Sequence, residues 1–142
     1  MYCSLDDLLG QVPKEKLIEL SNDDTYVTTD TGEPTYNMTN VDSAINNASS
    51  EIDGYASTRY TVPFVNIPPV IKKLAVDIAV YNLFSRKWTS DEEDNIVRRY
   101  KNAIRLLERI AEGKVVLGTG ESTILYKAPN KAFGDRFRSE YD

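Results

Sequence analysis

The segment "VIKKLAVDIAVYNLF", residues 70–84, constrains the fold of this chain more than any other stretch. Its apolar residues recur every three or four positions on two opposite sides of a helix: Ile71, Leu74, Ala75 and Ile78 on one side, and Val76, Val80, Leu83 and Phe84 on the other. A helix that is apolar on both sides must be enclosed by neighbouring elements. The pattern therefore predicts a helix from Val70 to about Lys87 at the centre of the core, opened by Pro68 and Pro69.

Two other segments each carry one apolar stripe at helical spacing and are long enough to enclose the central helix. The first stripe consists of Val41, Ala44, Ile45, Ala48, Ile52, Tyr55 and Ala56, and the second of Ile96, Val97, Tyr100, Ala103, Ile104, Leu107, Ile110 and Ala111. Thr39 with Asp42, and Ser90 with Glu93, have the spacing of helix N-terminal caps. Gly113 is expected to end the second of these helices.

Two short helices are predicted before the long ones. Ser4 and Asp7 have the spacing of a capping box, and Gly10 is a stop signal for that first helix. Pro13 suits the first position of the next helix, because its missing N–H is not needed there. The apolar contacts of this second short helix are expected from Leu17, Ile18 and Leu20.

The segments between these helices read as connectors. Residues 22–39 are polar and contain Gly32 and Pro34, so we predict a long loop with a hairpin around "TGEP" that is mobile or ordered by a partner. Residues 61–69, "TVPFVNIPP", contain three prolines and are predicted to be extended. After Gly118, glycines, a proline and short β-like pieces replace the helical period.

The prediction for the whole chain is a mainly α protein. We expect a small helical bundle of two short and three long helices over residues 1–117. Residues 118–142 are expected to form an extended C-terminal arm that contains short β-like pieces.

Composition argues against several classes of function. The 142 residues include 22 acidic and 17 basic side chains, a net charge of −5, whereas phosphate contacts need clustered Lys and Arg. There is no histidine and one cysteine, Cys3, so common zinc sites and catalytic triads lack their ligands and bases. No segment has the pattern of a signal peptide or approaches the roughly 20 apolar residues of a membrane span. We expect no enzyme activity, metal, cofactor or membrane contact.

Three features that suggest chemistry have simpler interpretations. The acids from Asp91 to Asp94 are typical of a first helical turn, where they favour the helix dipole. Asp77 lies inside the central apolar helix, and Lys73 one turn earlier is its expected ion-pair partner. The stretch "GKVVLGTGES" lacks the spacing of a phosphate-binding loop.

Arg98, Lys101 and Arg105 form a basic stripe at helical spacing on the predicted helix 91–112. One interpretation is a solvated face with ion pairs such as Arg105–Glu108 and Arg109–Glu112. A second is a small DNA-binding module that uses this face. A third is a contact between subunits, in which an acidic rim of one copy meets the stripe of the next.

Two further stretches suggest binding surfaces. The arm ends in "AFGDRFRSEYD", where Phe133, Phe137 and Tyr141 alternate with Arg136 and Arg138, the residue types that anchor interfaces. The alternative is an arm that folds back on its own bundle.

The stretch "EIDGYASTRY" closes the helix that begins near Thr39. Gly54 within it is expected to let a neighbouring backbone come close or to begin the exit from the helix. Arg59 and Tyr60 are candidates for contact with another subunit, so replacing them with alanine should weaken assembly and leave the monomer folded.

These segments together carry a resemblance. The order "LDDLLG", "AINNASSEIDGYASTRY", "PPVIKKLAVDIAVYNLF" and "RRYKNAIRLLERIAEGKVVLG" resembles Mu-like phage proteins encoded among head-morphogenesis genes, grouped with the head–tail connector, or adaptor, proteins of long-tailed phages. The resemblance covers nearly all of residues 1–118.

The resemblance implies a structural role. It implies a small helical bundle of which many copies, typically a dodecamer, form a ring on the portal protein and bind the neck or tail completion protein. DNA would pass through the ring only as cargo. The implied location is the virion neck, after assembly in the bacterial host cytoplasm.

Overall fold

The computed structural model describes residues 1–87 and 94–118, and these form a small helical bundle. Its helices in chain order are α1 (Leu5–Leu9), α2 (Lys14–Ser21), α3 (Met38–Ala56), α4 (Pro69–Ser85) and α5 (Asp94–Ala111). The predicted mainly α fold, with two short and three long helices, is confirmed. The predicted cap at Ser90 and Glu93 and the arm after Gly118 lie outside the described residues.

Helix α4 lies at the centre of the core, as its two apolar sides predict. It makes its most extensive contacts with α3 and α5, and α1 and α2 also pack on it. Both predicted sides are buried, with Phe84 only partly covered. Each fully buried aliphatic side chain contributes about 1.5 to 3 kcal/mol to the hydrophobic stabilisation. The helix begins one residue earlier than predicted, because Pro68 is the cap and Pro69 the first helical residue.

Helix α5 closes the bundle through one apolar side. Ala103, Leu107 and Ile110 are its buried residues. Tyr100 stacks on Tyr81 of α4, with ring centroids 3.9 Å apart and planes 11° from parallel. The Tyr100 hydroxyl donates to Glu51 Oε2 of α3 at 3.3 Å, so one side chain contacts both neighbouring helices. Burial, and then the nearby Glu51 carboxylate, raises the pKa of Tyr100.

The helix caps are partly those that the sequence predicts. The capping box of α1 is confirmed, since Ser4 N donates to Asp7 Oδ2 at 2.9 Å and Asp7 N to Ser4 Oγ at 3.4 Å. The predicted cap of α3 at Thr39 is wrong. Asn37 caps the helix, because its Oδ1 accepts from Asn40 N at 3.2 Å and the helix starts at Met38.

The polar segment between α2 and α3 is a hairpin held at its base, as the "TGEP" prediction expects. Thr28 and Pro34 form an antiparallel bridge, Thr29 N donates to Glu33 O at 2.8 Å, and Gly32 turns the chain with φ 87°. The fully buried Asn22 anchors it. Asn22 Nδ2 donates to Ile18 O at 2.8 Å and to Thr35 O at 2.7 Å, while its Oδ1 accepts from Val27 N at 2.9 Å. Hydrogen bonds within its own chain therefore hold the hairpin, and a partner is not required to order it.

The first residues of the chain are tied to α3 and to the proline-rich connector. Tyr2 is 3% exposed. Its backbone N–H donates to Ser49 Oγ at 3.0 Å. The hydroxyl donates to Asp53 and accepts from Phe64 N at 3.0 Å. Burial and the hydrogen bond to the Asp53 carboxylate together raise the pKa of Tyr2 to about 12.

This environment predicts a loss of stability at high pH that depends on Tyr2. The folded chain keeps the Tyr2 proton to about pH 12, whereas the unfolded chain loses it near its ordinary pKa of 10.0. The unfolded state therefore binds fewer protons between these pH values, so the free energy of unfolding falls as pH rises through this window and the contribution is complete below it. Urea denaturation across this range should give a steeper pH dependence for the wild type than for Tyr2→Phe. Parallel curves would contradict the prediction.

Candidate functional site

Arg59 caps the end of α5 from the chain segment that follows α3. Its Nε donates to Ala111 O at 3.3 Å and its Nη2 donates to Glu112 O at 3.2 Å. Thr58 Oγ1 adds a hydrogen bond to Ala111 O at 3.3 Å. The last carbonyl groups of a helix have no partner within it and carry the negative end of its dipole, so a guanidinium group suits both their geometry and their charge.

Gly113 makes room for this contact. Its φ is 82°, a left-handed conformation that residues with a Cβ disfavour. A Cβ added at Gly113 would overlap the Arg59 guanidinium group. The backbone conformation therefore favours glycine here, and any other residue would also have to push the end of the Arg59 side chain aside.

Tyr60 holds the chain beyond α5. Its hydroxyl accepts a hydrogen bond from Leu117 N at 2.9 Å, and Leu117 is itself buried. The Tyr60 ring packs 6.1 Å from the Phe64 ring, which lies 5.7 Å from Tyr2. We name Arg59, Tyr60, Gly113 and Leu117 the arginine clasp. The clasp holds Leu117 beside Tyr60 near the end of α5.

The clasp changes the interpretation of "EIDGYASTRY". Arg59 and Tyr60 both make hydrogen bonds within their own chain, so they have a structural role, and a role in subunit contact stays a prediction. The expected close approach at Gly54 is wrong, since a Cβ there would meet nothing within 4 Å. The glycine of close approach is Gly113. The two segments that meet here, "STRY" and "AEGKVVLG", are both visible in the sequence. Their spacing does not indicate that they are in contact.

Arg98, Lys101 and Arg105 lie on the exposed side of α5, and we name them the basic face. Arg98 contacts Asn95, and Arg105 Nη1 donates to Asn102 Oδ1 at 2.9 Å. Within residues 1–87 and 94–118, no carboxylate forms an ion pair with any of the three cations. The predicted Arg105–Glu108 and Arg109–Glu112 pairs do not form there. Arg105 binds the Asn102 amide, and the Glu112 carboxylate pairs with Lys114 Nζ at 3.4 Å.

The side chain of Arg99, which follows Arg98 in the sequence, lies toward α4 and not on the basic face. Its Nη1 lies 3.9 Å from Asp77 Oδ1, and Lys73 Nζ lies 2.8 Å from Asp77 Oδ2. The predicted ion pair of Lys73 with Asp77 is confirmed, with Arg99 as a second cation. A cavity of about 50 Å³ lies beside this group and is also lined by Gln11. A second cavity of about 220 Å³ is lined by Gln11, Lys73 and Asp77. Both volumes are below the roughly 300 Å³ at which small-molecule pockets begin.

Other chemistry-bearing groups are inward or scattered. Cys3 is buried, and burial raises the pKa of its thiol to about 11, which keeps it protonated. In the described part of the chain, no three metal-ligating side chains come together. No helix among these residues has the length and apolar character to cross a membrane.

Carboxylates without cation partners project from the hairpin, a feature that the sequence analysis missed. Residues 22–37 contain four acids and no Lys or Arg. Asp23 binds Arg86 of α4. In the described residues, Asp24, Asp30 and Glu33 are exposed and form no ion pair, and we name them the acidic hairpin. The acids and the hairpin around "TGEP" are both visible in the sequence, but the lack of cation partners for these acids is not.

Several predicted site residues fall on the arm. Phe133, Arg136, Phe137 and Tyr141 lie outside the described residues, so their proposed interface role stays a prediction. The structure places Arg59 and Tyr60 together in the clasp, at the end of α5. The basic face forms a separate surface along the same helix.

Comparison with known proteins identifies the family. The family model described as "Bacteriophage Mu, Gp36" matches residues 2–134. The Mu-like prophage FluMu protein gp36 of Haemophilus influenzae is 32% identical over 92 residues, which cover 65% of this chain and 62% of that protein. Gene product J of Escherichia phage Mu is 26% identical over 122 residues, covering 86% of this chain and 79% of that protein. The chain thus aligns with about three fifths of the Haemophilus relative's length. With a matched segment that spans nearly the whole bundle and clasp, the chain belongs to the phage Mu Gp36 family.

Proposed function

We propose that this protein is a structural component of a phage particle that acts as a head–tail adaptor. In this role it docks on the portal protein as a ring of identical copies, a dodecamer as the resemblance to connector proteins implies. The ring extends the DNA channel and offers a platform to the neck or tail completion protein. Its location is the virion neck, and its work is binding without catalysis.

The basic face is the observation that supports this proposal best. A rigid helix, packed on α3 and α4, presents three exposed cations that have no carboxylate partner in the described residues. Unpaired charge on a rigid element is typical of a surface that receives a complementary partner. Family membership makes a phage assembly partner the first expectation.

The charge of the chain fits a channel component. A net charge of −5 repels phosphate, so DNA would pass a ring of such subunits without being held. The clasp holds Leu117 at a fixed point on the bundle, so the predicted arm would start from a defined position. A segment that leaves a rigid body at a fixed point can reach a neighbour and become ordered on it.

Gentle purification of the tagged protein from cells that produce the phage tests the proposal. We expect portal, neck or tail proteins to copurify, identified by mass spectrometry, and a tag on an unrelated phage protein serves as the control. An eluate that contains none of them, but contains DNA or a metabolic complex, would overturn the adaptor assignment.

A second candidate function uses the same basic face to bind DNA. The observation that favours it is the combination of three exposed cations with the amides of Asn95 and Asn102, groups that commonly contact phosphates. Duplex DNA affinity that falls steeply with salt would support this function. The adaptor proposal expects weak binding instead, because the rest of the surface is acidic.

A further inference from the structure

We propose that the basic face of one copy binds the acidic hairpin of a second copy of this chain. This inference rests on the proposed function, because a ring needs two different complementary surfaces on each subunit. Such a contact is heterologous: the basic face of each subunit meets the hairpin of the next, and the ring closes when the last hairpin reaches the first basic face.

The first argument is the match of unpaired charges. Three cations, Arg98, Lys101 and Arg105, and three carboxylates, Asp24, Asp30 and Glu33, are exposed and have no ion-pair partner of opposite sign in the described residues. Asp23 is paired with Arg86, and Asp77 with Lys73 and Arg99. Glu108 and Arg109 of α5 are exposed without an ion pair in the described residues and cancel each other in charge, so the basic face keeps its excess of positive charge opposite in sign to the hairpin.

The second argument is the position of the two surfaces. The hairpin is joined to α2 through Asn22, and α2 packs on α3 and α4. The basic face belongs to α5, which packs on α3 and α4. In the described residues, no hydrogen bond or ion pair joins the hairpin to α5. Each surface is left to bind another molecule.

The third argument is that the hairpin is ready to bind. Backbone hydrogen bonds from Thr29 N to Glu33 O and from Thr35 N to Val27 O, each 2.8 Å long, keep its strands together. Little ordering entropy is lost on docking when the binding element is already held. Tyr26 and Val27 are 39% and 41% exposed, so apolar contact can accompany the ion pairs.

The same observations disfavour DNA on the basic face. A DNA duplex on this surface would bring phosphates to a protein whose net charge is −5 and whose hairpin carries three unpaired carboxylates. Electrostatic steering by such a charge distribution favours an acidic protein segment of limited size over a long polyanion.

A charge-swap experiment tests the inference. One variant carries Arg98→Glu, Lys101→Glu and Arg105→Glu, and the other carries Asp24→Lys, Asp30→Lys and Glu33→Lys. Self-association is measured by sedimentation velocity at low salt over a range of protein concentrations. We expect each variant alone to associate about tenfold or more weakly than the wild type, because like charges now face each other.

Mixing the two variants gives the decisive result. The reversed basic face of one variant complements the reversed hairpin of the other, so the mixture is expected to regain association that salt weakens. A control variant reverses three other exposed acids, Asp6, Glu15 and Asp42, which alters net charge as the hairpin variant does. This control should associate like the wild type. Circular dichroism checks that every variant is folded.

Several outcomes would overturn the inference. They are a wild type that stays monomeric at low salt and high concentration, variants that associate as the wild type does, and a mixture that gains nothing. Loss of duplex DNA binding by the basic-face variant, with self-association unchanged, would assign that face to DNA. If portal proteins still copurify with the tagged wild type, the adaptor role survives the failure of this contact, so the two proposals fail separately.

Discussion

Gly113→Ala is expected to lower the free energy of unfolding by about 2 to 3 kcal/mol. About 1 kcal/mol comes from placing alanine at a left-handed φ of 82°. The rest comes from the Arg59 guanidinium group, which the new Cβ would displace from the carbonyl groups of Ala111 and Glu112. Urea denaturation followed by circular dichroism measures the change.

A double-mutant cycle separates these two contributions. Arg59→Ala alone should cost about 1 to 2 kcal/mol, because the end of α5 loses its charged cap although water can reach the freed carbonyl groups. In the Arg59→Ala background, Gly113→Ala should cost only the conformational part, about 1 kcal/mol. Fully additive effects would show that Arg59 does not occupy the space above Gly113 in solution.

Gly54→Ala is the matched control. Gly54 lies exposed within α3, and a Cβ there meets no atom within 4 Å. Alanine should therefore stabilise the chain by about 0.5 to 1 kcal/mol through helix propensity. Opposite signs at the two glycines would show that the backbone conformation and surroundings of Gly113, and not glycine content, determine the result.

The clasp qualifies the expectation from the sequence that Arg59→Ala leaves the monomer folded and weakens assembly. Its hydrogen bonds to α5 predict that some stability is lost before any assembly is measured. An assembly defect in this variant therefore supports an interface role only if it exceeds that of a variant with a similar loss of stability and an undisturbed Arg59.

Asn22→Ala is expected to destabilise the chain by about 2 to 4 kcal/mol. The buried amide satisfies Ile18 O, Thr35 O and Val27 N, and alanine satisfies none of them. Each buried polar group left without a partner costs about 1 to 3 kcal/mol, reduced where water enters. Urea denaturation measures the global loss, and hydrogen exchange at the Val27 amide measures local release of the hairpin.

Two variants complete this test. Asn22→Asp keeps the size of the side chain but cannot donate to the two carbonyl groups, so it should lose most of the same stability. Asn46→Ala, at an exposed position of α3, should change stability by less than about 0.5 kcal/mol. Unchanged protection of the Val27 amide in Asn22→Ala would show that Asn22 does not anchor the hairpin.

The helices could be predicted because their signals are local. The two apolar sides of α4 and the stripes of α3 and α5 arise from a period that the chain itself carries. The Ser4–Asp7 capping box and the Lys73–Asp77 ion pair involve residues three or four apart, so they could also be predicted from the sequence. The predicted N-cap of α3 was two residues too late. Asn37 and Thr39 are both residue types that cap helices, and the path of the chain leaving the hairpin determines which of them does so.

The candidate surfaces depended on contacts between distant segments. The stripe of Arg98, Lys101 and Arg105 follows from helical spacing, but whether it is paired depends on which acids the fold brings near it. The three carboxylates of the hairpin lie six and three residues apart in sequence, in the segment that turns at Gly32. Their lack of cation partners is a property of the folded surface.

The sequence by itself determined the helical class, the central place of α4 and the family resemblance, because periodicity and short-range motifs are encoded within single segments. Only the tertiary structure decided the role of "EIDGYASTRY". Arg59 reaches carbonyl groups more than fifty residues away, and Gly113 leaves the space for it. A contact of that kind depends on how α3 and α5 pack against α4, which is a property of three helices together and of no single stretch of the chain.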